Sequence, residues 1–124
     1  MERSIAEFLS ENLLALEFHD LPERIVQFSR VTFLDWIGAT LAGSHEDSVR
    51  ILMQVIPQTD PSGEATLLPA ANRGLALFAA LVNGAASHAT EMDDFHKTSM
   101  VHLGVTVIPA VLALSEKVRA TGKE

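Results

Sequence analysis

The chain has 124 residues, a net charge of −7 and no cysteine. The acidic balance argues against a nucleic-acid surface or an anionic membrane surface, each of which calls for basic residues. The missing thiols exclude disulfides and thiolate metal sites. Composition is 48% hydrophobic, with mean hydropathy +0.22. So short a chain has a large surface for its volume, so its own core cannot hide that many apolar side chains. It is expected either to oligomerise or to form part of something larger.

The opening "MERSIAEFLSEN" is acidic and amphipathic and does not read as a signal peptide. Ser4 with Glu7 has capping-box form, and Ile5, Phe8, Leu9, Leu13 and Leu16 recur at helical spacing, predicting a helix from Ser4 to Leu16. Asp20 and Glu23, with Pro22 in the first turn, predict the start of a second helix running from Leu21 to Ala42. Val26, Phe33, Ile37 and Leu41 would share a face, with Trp36 at its edge, and Gly43 would serve as a left-handed stop. A short third helix is expected over Asp47–Val55.

Pro57, Pro61, Gly63 and Pro69 mark a long connection. Within it "EATLLP" could form one strand, with no evident partner. A fourth helix is predicted over Asn72–Glu91 and a fifth over Val107–Ala120, with Pro109 in its first turn and Gly122 near its end. The fourth is apolar nearly all round, as is the first half of the fifth, which is the pattern of helices buried in a larger protein. Ala79, Ala80, Gly84, Ala85, Ala86 and Ala89 would allow close helix contact. Asn83 would satisfy a buried partner or line a pocket, and His19 and His45 would face solvent. The expected fold is therefore all-α: about five helices, two of them central and apolar, forming a single segment over residues 1–124. No stretch reaches the ~18 apolar residues of a membrane span, and "VTVIPAVLAL" contains a proline. A cytoplasmic location fits these features.

Between His88 and Gly104 the sequence "HATEMDDFHKTSMVHLG" gathers three histidines and three carboxylates, whereas Gly74–Ser87 carries no Asp, Glu, Lys or Arg. His88 and Glu91 are spaced to share a face at the end of the fourth helix. Asp93, Asp94 and His96 follow in a loop, and His102 precedes the fifth helix. Carboxylates at a helix C-terminus meet the negative end of its dipole, so the cluster costs stability unless a cation or ligand compensates. Neighbouring carboxylates raise one another's pKa, which suits proton exchange near neutrality. Two other readings stay open on the residues alone. One is a solvated loop beside a hydrogen-bonded histidine. The other is a metal site, although the spacing is neither H-E-x-x-H nor the E-x-x-H of di-iron bundles.

"LPERIVQFSRVTFLDWIGATLAGS", "ALVNGAASHATEMDDFH" and "MVHLGVTVIPAVLALSE" together resemble the start of the MmgE/PrpD family. That family includes 2-methylcitrate dehydratase, cis-aconitate decarboxylase and iminodisuccinate epimerase. The resemblance covers most of the chain. It implies the N-terminal portion of a helical domain, with the smaller lid domain lacking here, in enzymes that are commonly homodimers. It also implies a lyase of dehydratase type, acting without metal or other cofactor on a small di- or tricarboxylate. Its chemistry would begin with proton removal beside a carboxylate and proceed to loss of water, loss of carbon dioxide, or reprotonation on the other face.

Carried over residue by residue, the resemblance makes Glu91, Asp93 and His102 the candidate catalytic groups. Asp94, His96 and His88 become the candidate substrate-binding groups. The chain departs from the family pattern in three places: Glu91 stands for Asp, Phe95 for Thr, and Leu103 for the Pro after the histidine. Family enzymes are several times longer. This chain alone is therefore expected to be inactive, working as a homodimer or in association with the rest of such an enzyme. The rival expectations are a non-catalytic helical oligomerisation or subunit module, and a metal-binding helical protein.

Overall fold

The computed structural model describes residues 3–56 and 63–124. Five helices are present among them: α1 (Ile5–Ala15), α2 (Glu23–Gly43), α3 (Asp47–Val55), α4 (Ala76–His88) and α5 (Gly104–Val118). Two short strands, β1 (Ala65–Leu67) and β2 (Asn72–Gly74), form an antiparallel hairpin. The architecture is mostly α-helical, as the periodicity predicts. Pro57 and Pro61 of the expected connection lie outside the described residues.

α1 begins at the predicted capping box, with the Ser4 hydroxyl accepting from Glu7 N–H and the Glu7 carboxylate accepting from Ser4 N–H. No residue of α1 is buried, and its apolar face (Ile5, Phe8, Leu9, Leu13) is exposed. Asp20 does not cap α2 as expected. Its carboxylate accepts the N–H of Glu17, closing a 3-10 turn over Phe18–Asp20, and Pro22 stands at the helix start instead.

Gly43 is not a left-handed stop either, since no glycine has positive φ. Its missing side chain admits the backbone of α4: a Cβ there would collide with the Ala86 carbonyl. α2 and α5 both pack on α4. Trp36 is buried in α2 and stacks on Phe33, with ring centroids 5.8 Å apart.

The fourth helix is shorter than predicted at both ends. Ala71 takes a left-handed conformation after a 3-10 turn over Leu68–Ala70, so Asn72–Gly74 pairs back onto β1, with Ala65 opposite Gly74 and Leu67 opposite Asn72. The strand suspected in "EATLLP" thus has a partner. What stabilises so short a hairpin is the pair of helices beneath it. Asn83 of α4, 1% exposed, donates to the Thr66 carbonyl at 2.8 Å and accepts from Leu68 N–H at 2.9 Å. Glu116 of α5 accepts from Thr66 N–H at 2.5 Å and from its hydroxyl at 2.7 Å. Asn83 is therefore a structural clamp. The hydrophobic core lies between these layers: Val49, Ile56, Ala65, Leu67, Ala79, Val82, Ala86 and Ala113.

α5 starts three residues before the predicted position, which moves Pro109 from the first turn into the helix interior, where it is buried. A proline there donates no hydrogen bond to the carbonyl four residues back, that of Val105. Gly84 of α4 lies against that same carbonyl, where a Cβ would stand 3.1 Å from the oxygen. The proline that weakens α5 thus falls where Gly84 of α4 lies against that helix. The helix ends at Arg119, with φ 58°, and not at Gly122.

Candidate active site

α4 ends at His88, and Glu91 N–H donates to the His88 carbonyl at 3.0 Å. Glu91 then turns left-handed with φ 51°, which lifts it off the helix axis. It therefore does not share a helical face with His88, and its exposed side chain makes no hydrogen bond or ion pair among the described residues. The turn at Glu91 redirects the two aspartates. Asp93 points inward, with its side chain only 2% exposed. Asp94 reaches the start of the next helix, where its carboxylate accepts from Gly104 N–H at 2.8 Å.

For Asp94 the electrostatic cost expected from the sequence is thereby removed. Asp94 meets the positive N-terminal end of α5 rather than the negative end of α4. A Cβ at position 104 would strike the Asp94 carboxylate, so a larger residue there would displace it. Nothing in the sequence spacing advertises this bond or the part Gly104 plays in it.

Asp93 is the centre of the site. Its carboxylate oxygens lie 3.0 and 3.1 Å from His88 Nδ1 and its Oδ2 is 2.7 Å from His102 Nδ1. The His88 contact is a well-formed hydrogen bond. The His102 contact is close but out of line, which leaves that buried nitrogen without a directed partner. The two imidazoles meet edge to face with centroids 4.8 Å apart, and the Phe95 ring lies 5.1 Å from His102. Both histidines keep a solvent-facing side, with side chains 48% and 32% exposed. A buried carboxylate between two half-exposed imidazoles can hold both rings in place while they give or take a proton. The same three groups offer donor atoms within 4.8 Å of one another, the one such set able to hold a metal ion among the described residues.

His96 stands apart from this trio. Its N–H donates to the Val101 carbonyl and its own carbonyl accepts from Met100 N–H, both at 2.8 Å, closing a tight turn in which Met100 has φ 56°. Its Nδ1 accepts from Ser99 N–H at 3.3 Å and contacts the Ser99 hydroxyl at 2.6 Å. Of the six residues singled out in the sequence, the structure gathers His88, Asp93 and His102. It sets Asp94 behind them as an anchor and leaves Glu91 and His96 on the rim. A groove between α4 and α5 (Ala76, Leu77, Ala80, Ala110, Ala113, Leu114) and a concavity near Leu16–His19 lie elsewhere on the surface.

Comparison with known proteins places the chain among relatives. The chain is 27% identical over 115 residues to the cis-aconitate decarboxylase-like protein oryM of Aspergillus oryzae, covering 93% of this chain and 24% of that protein. It is 28% identical over 104 residues to cis-aconitate decarboxylase of Aspergillus terreus, covering 84% of this chain and 21% of that one. The chain thus spans a quarter or less of the length of these curated relatives. No solved structure matches. No helix among the described residues is long and apolar enough to cross a membrane. The family profile of the MmgE/PrpD N-terminal domain matches residues 3–124, spanning every element from α1 to α5, and the chain belongs to the MmgE/PrpD family.

Proposed function

We propose that this chain is the N-terminal segment of a lyase acting on a small di- or tricarboxylate, and that it contributes one wall of the active site. The observation that carries this reading is Asp93, a buried carboxylate between two half-exposed imidazoles on the loop joining two packed helices. In dehydration, His102 would take the proton from the carbon beside a substrate carboxylate. The C–H electrons would form the double bond, and the hydroxyl on the adjacent carbon would leave with a proton as water. In decarboxylation of a tricarboxylate, the reaction named for the Aspergillus relatives, the C–CO2 bond would break and a protonated imidazole would deliver the proton to carbon.

Asp93 would hold the rings, His88 would hold a substrate carboxylate, and Glu91 at the rim would shuttle protons to solvent. His96, whose Nδ1 is engaged by Ser99, would offer Nε2 to substrate. Asp94 would act through the loop it anchors. Phe95 against His102 puts an apolar ring where the family pattern has a hydroxyl, which favours a substrate or reaction different from those of the best-known members.

The isolated chain should not turn over 2-methylcitrate, citrate or cis-aconitate. A chimera in which this chain replaces the matching segment of the Aspergillus terreus enzyme should act on at least one of them and lose that activity in H102Q. Robust turnover by the isolated chain would overturn the one-wall reading. A folded chimera inert on all three acids would overturn the lyase reading.

A further inference from the structure

We infer that His88, Asp93 and His102 form a binding site for one divalent transition-metal cation of the Zn2+ or Co2+ kind. The argument starts from distances. Two ligand atoms each about 2.1 Å from a metal stand about 3.0 Å apart at a right angle and about 3.4 Å apart at a tetrahedral one. His88 Nδ1 lies 3.1 Å and His102 Nδ1 2.7 Å from the same oxygen, Asp93 Oδ2. Two of the three edges of a coordination triangle are thus already near the required length. The third, between the two nitrogens, spans no more than 4.8 Å. Closing it takes only a swing of side chains that are half and one-third exposed.

The protein groups alone leave this arrangement incomplete. His102 Nδ1 is buried within 2.7 Å of a carboxylate oxygen, yet no hydrogen bond joins them. A proton or a lone pair on that nitrogen lies in the ring plane and points away from the carboxylate oxygen. A cation seated on that in-plane direction and within reach of the carboxylate would satisfy both groups, because nitrogen and carboxylate each donate electrons to it.

The donor set also selects the ion. Two imidazole nitrogens and one carboxylate suit Zn2+, Co2+ or Ni2+, whereas Mg2+ and Ca2+ call for oxygen ligands. Three protein ligands leave coordination positions open toward the exposed side of the rings. The scaffold beneath is fixed at both ends, by the last turn of α4 and by the Asp94–Gly104 bond at the start of α5.

A cation bound at the two Nδ1 atoms would leave each neutral imidazole protonated at Nε2, so neither ring could take a proton from substrate, and the cation acts as an inhibitor. That consequence rests on the lyase reading; the binding itself does not.

The test is titration of the purified chain with Co2+, followed by its visible d–d absorption, and with Zn2+ by calorimetry. Saturation at one equivalent is expected, with at least ~10-fold weaker binding in D93N and in H102Q. H96Q, altered on the neighbouring turn, should bind as the parent does. Far-ultraviolet circular dichroism checks that each variant folds. If D93N fails that check, H88Q, altered at a half-exposed helix end, removes a ligand of the same set. Absence of saturable 1:1 binding at millimolar Co2+, or undiminished binding by the H88Q/H102Q double variant, overturns the inference. Turnover of the chimera in EDTA reports on the lyase reading independently, since it requires no bound cation.

Discussion

Replacing Asn83 with alanine removes the amide that joins α4 to the hairpin. The side chain is 1% exposed and makes two hydrogen bonds, at 2.8 Å to the Thr66 carbonyl and 2.9 Å to the Leu68 N–H. Each bond contributes about 1 kcal/mol net, and each partner left buried and unpaired costs about 1–3 kcal/mol. Thr66 and Leu68 are only partly buried, so water can recover some of that loss. The expected destabilisation is therefore about 2–4 kcal/mol, a large share of the roughly 5–15 kcal/mol that holds a domain together. Urea unfolding followed by circular dichroism measures it. N83D should be at least as destabilised as N83A, because it keeps the acceptor for Leu68 N–H but buries a carboxylate with an oxygen facing the Thr66 carbonyl. A loss below about 0.5 kcal/mol in N83A would refute the clamp, and so would an N83D as stable as the parent.

A matched pair of glycines tests the α2–α4 contact. G38A should stabilise by about 0.5–1 kcal/mol, since Gly38 is exposed in a helix interior with nothing near its missing Cβ. G43A should destabilise by about 1–3 kcal/mol, since it drives a methyl into the Ala86 carbonyl; equal effects in thermal melts would contradict the packing. The pH dependence of stability should show the carboxylates at two helix starts. Glu64 accepts from Ala76 N–H and pairs with Lys117, and Glu7 is bonded by Ser4; both are held below the ordinary value of 4.5. Their stabilisation is complete above pH 4.5 and is lost as pH falls below it through the folded-state values, so E64Q and E7Q should each flatten the acid limb of a pH–stability curve. Finally, Leu77 and Leu114 line the α4–α5 groove and are 74% and 59% exposed. Light scattering should find the isolated chain above monomer mass, and L77E/L114E should shift it toward monomer; a monodisperse parent monomer would count against an adhesive face.

The helical part of the fold was legible where local chemistry decides the outcome. Ser4 and Glu7 cap α1 as their spacing implies, and α3 occupies the predicted Asp47–Val55. The hairpin was not legible, because Asn72–Gly74 contains no strand-forming residue. Its pairing depends on Asn83 and Glu116, which lie far along the chain from Thr66. Gly43 was misjudged for a related reason: a glycine at a helix end reads as a turn, whereas this one answers to the backbone of another helix. In the site, residue types identified the cluster, but spacing could not sort it. A single left-handed residue, Glu91, redirects the chain ahead of both aspartates, after which Asp93 turns inward and Asp94 caps α5.

The bond from Asp94 to Gly104 also has a kinetic consequence. The loop between α4 and α5 is fastened at its far end to the first turn of a helix, so it cannot swing aside as a lid without uncapping that helix. Admission of a ligand to Asp93 must then come from rotation of the His88 and His102 rings. Exposed side chains rotate in picoseconds to nanoseconds, whereas hinged segments open over microseconds or longer. On this side, arrival at the site should be limited by diffusion and ring rotation, and any slow gating step would have to come from the part of the enzyme that faces it.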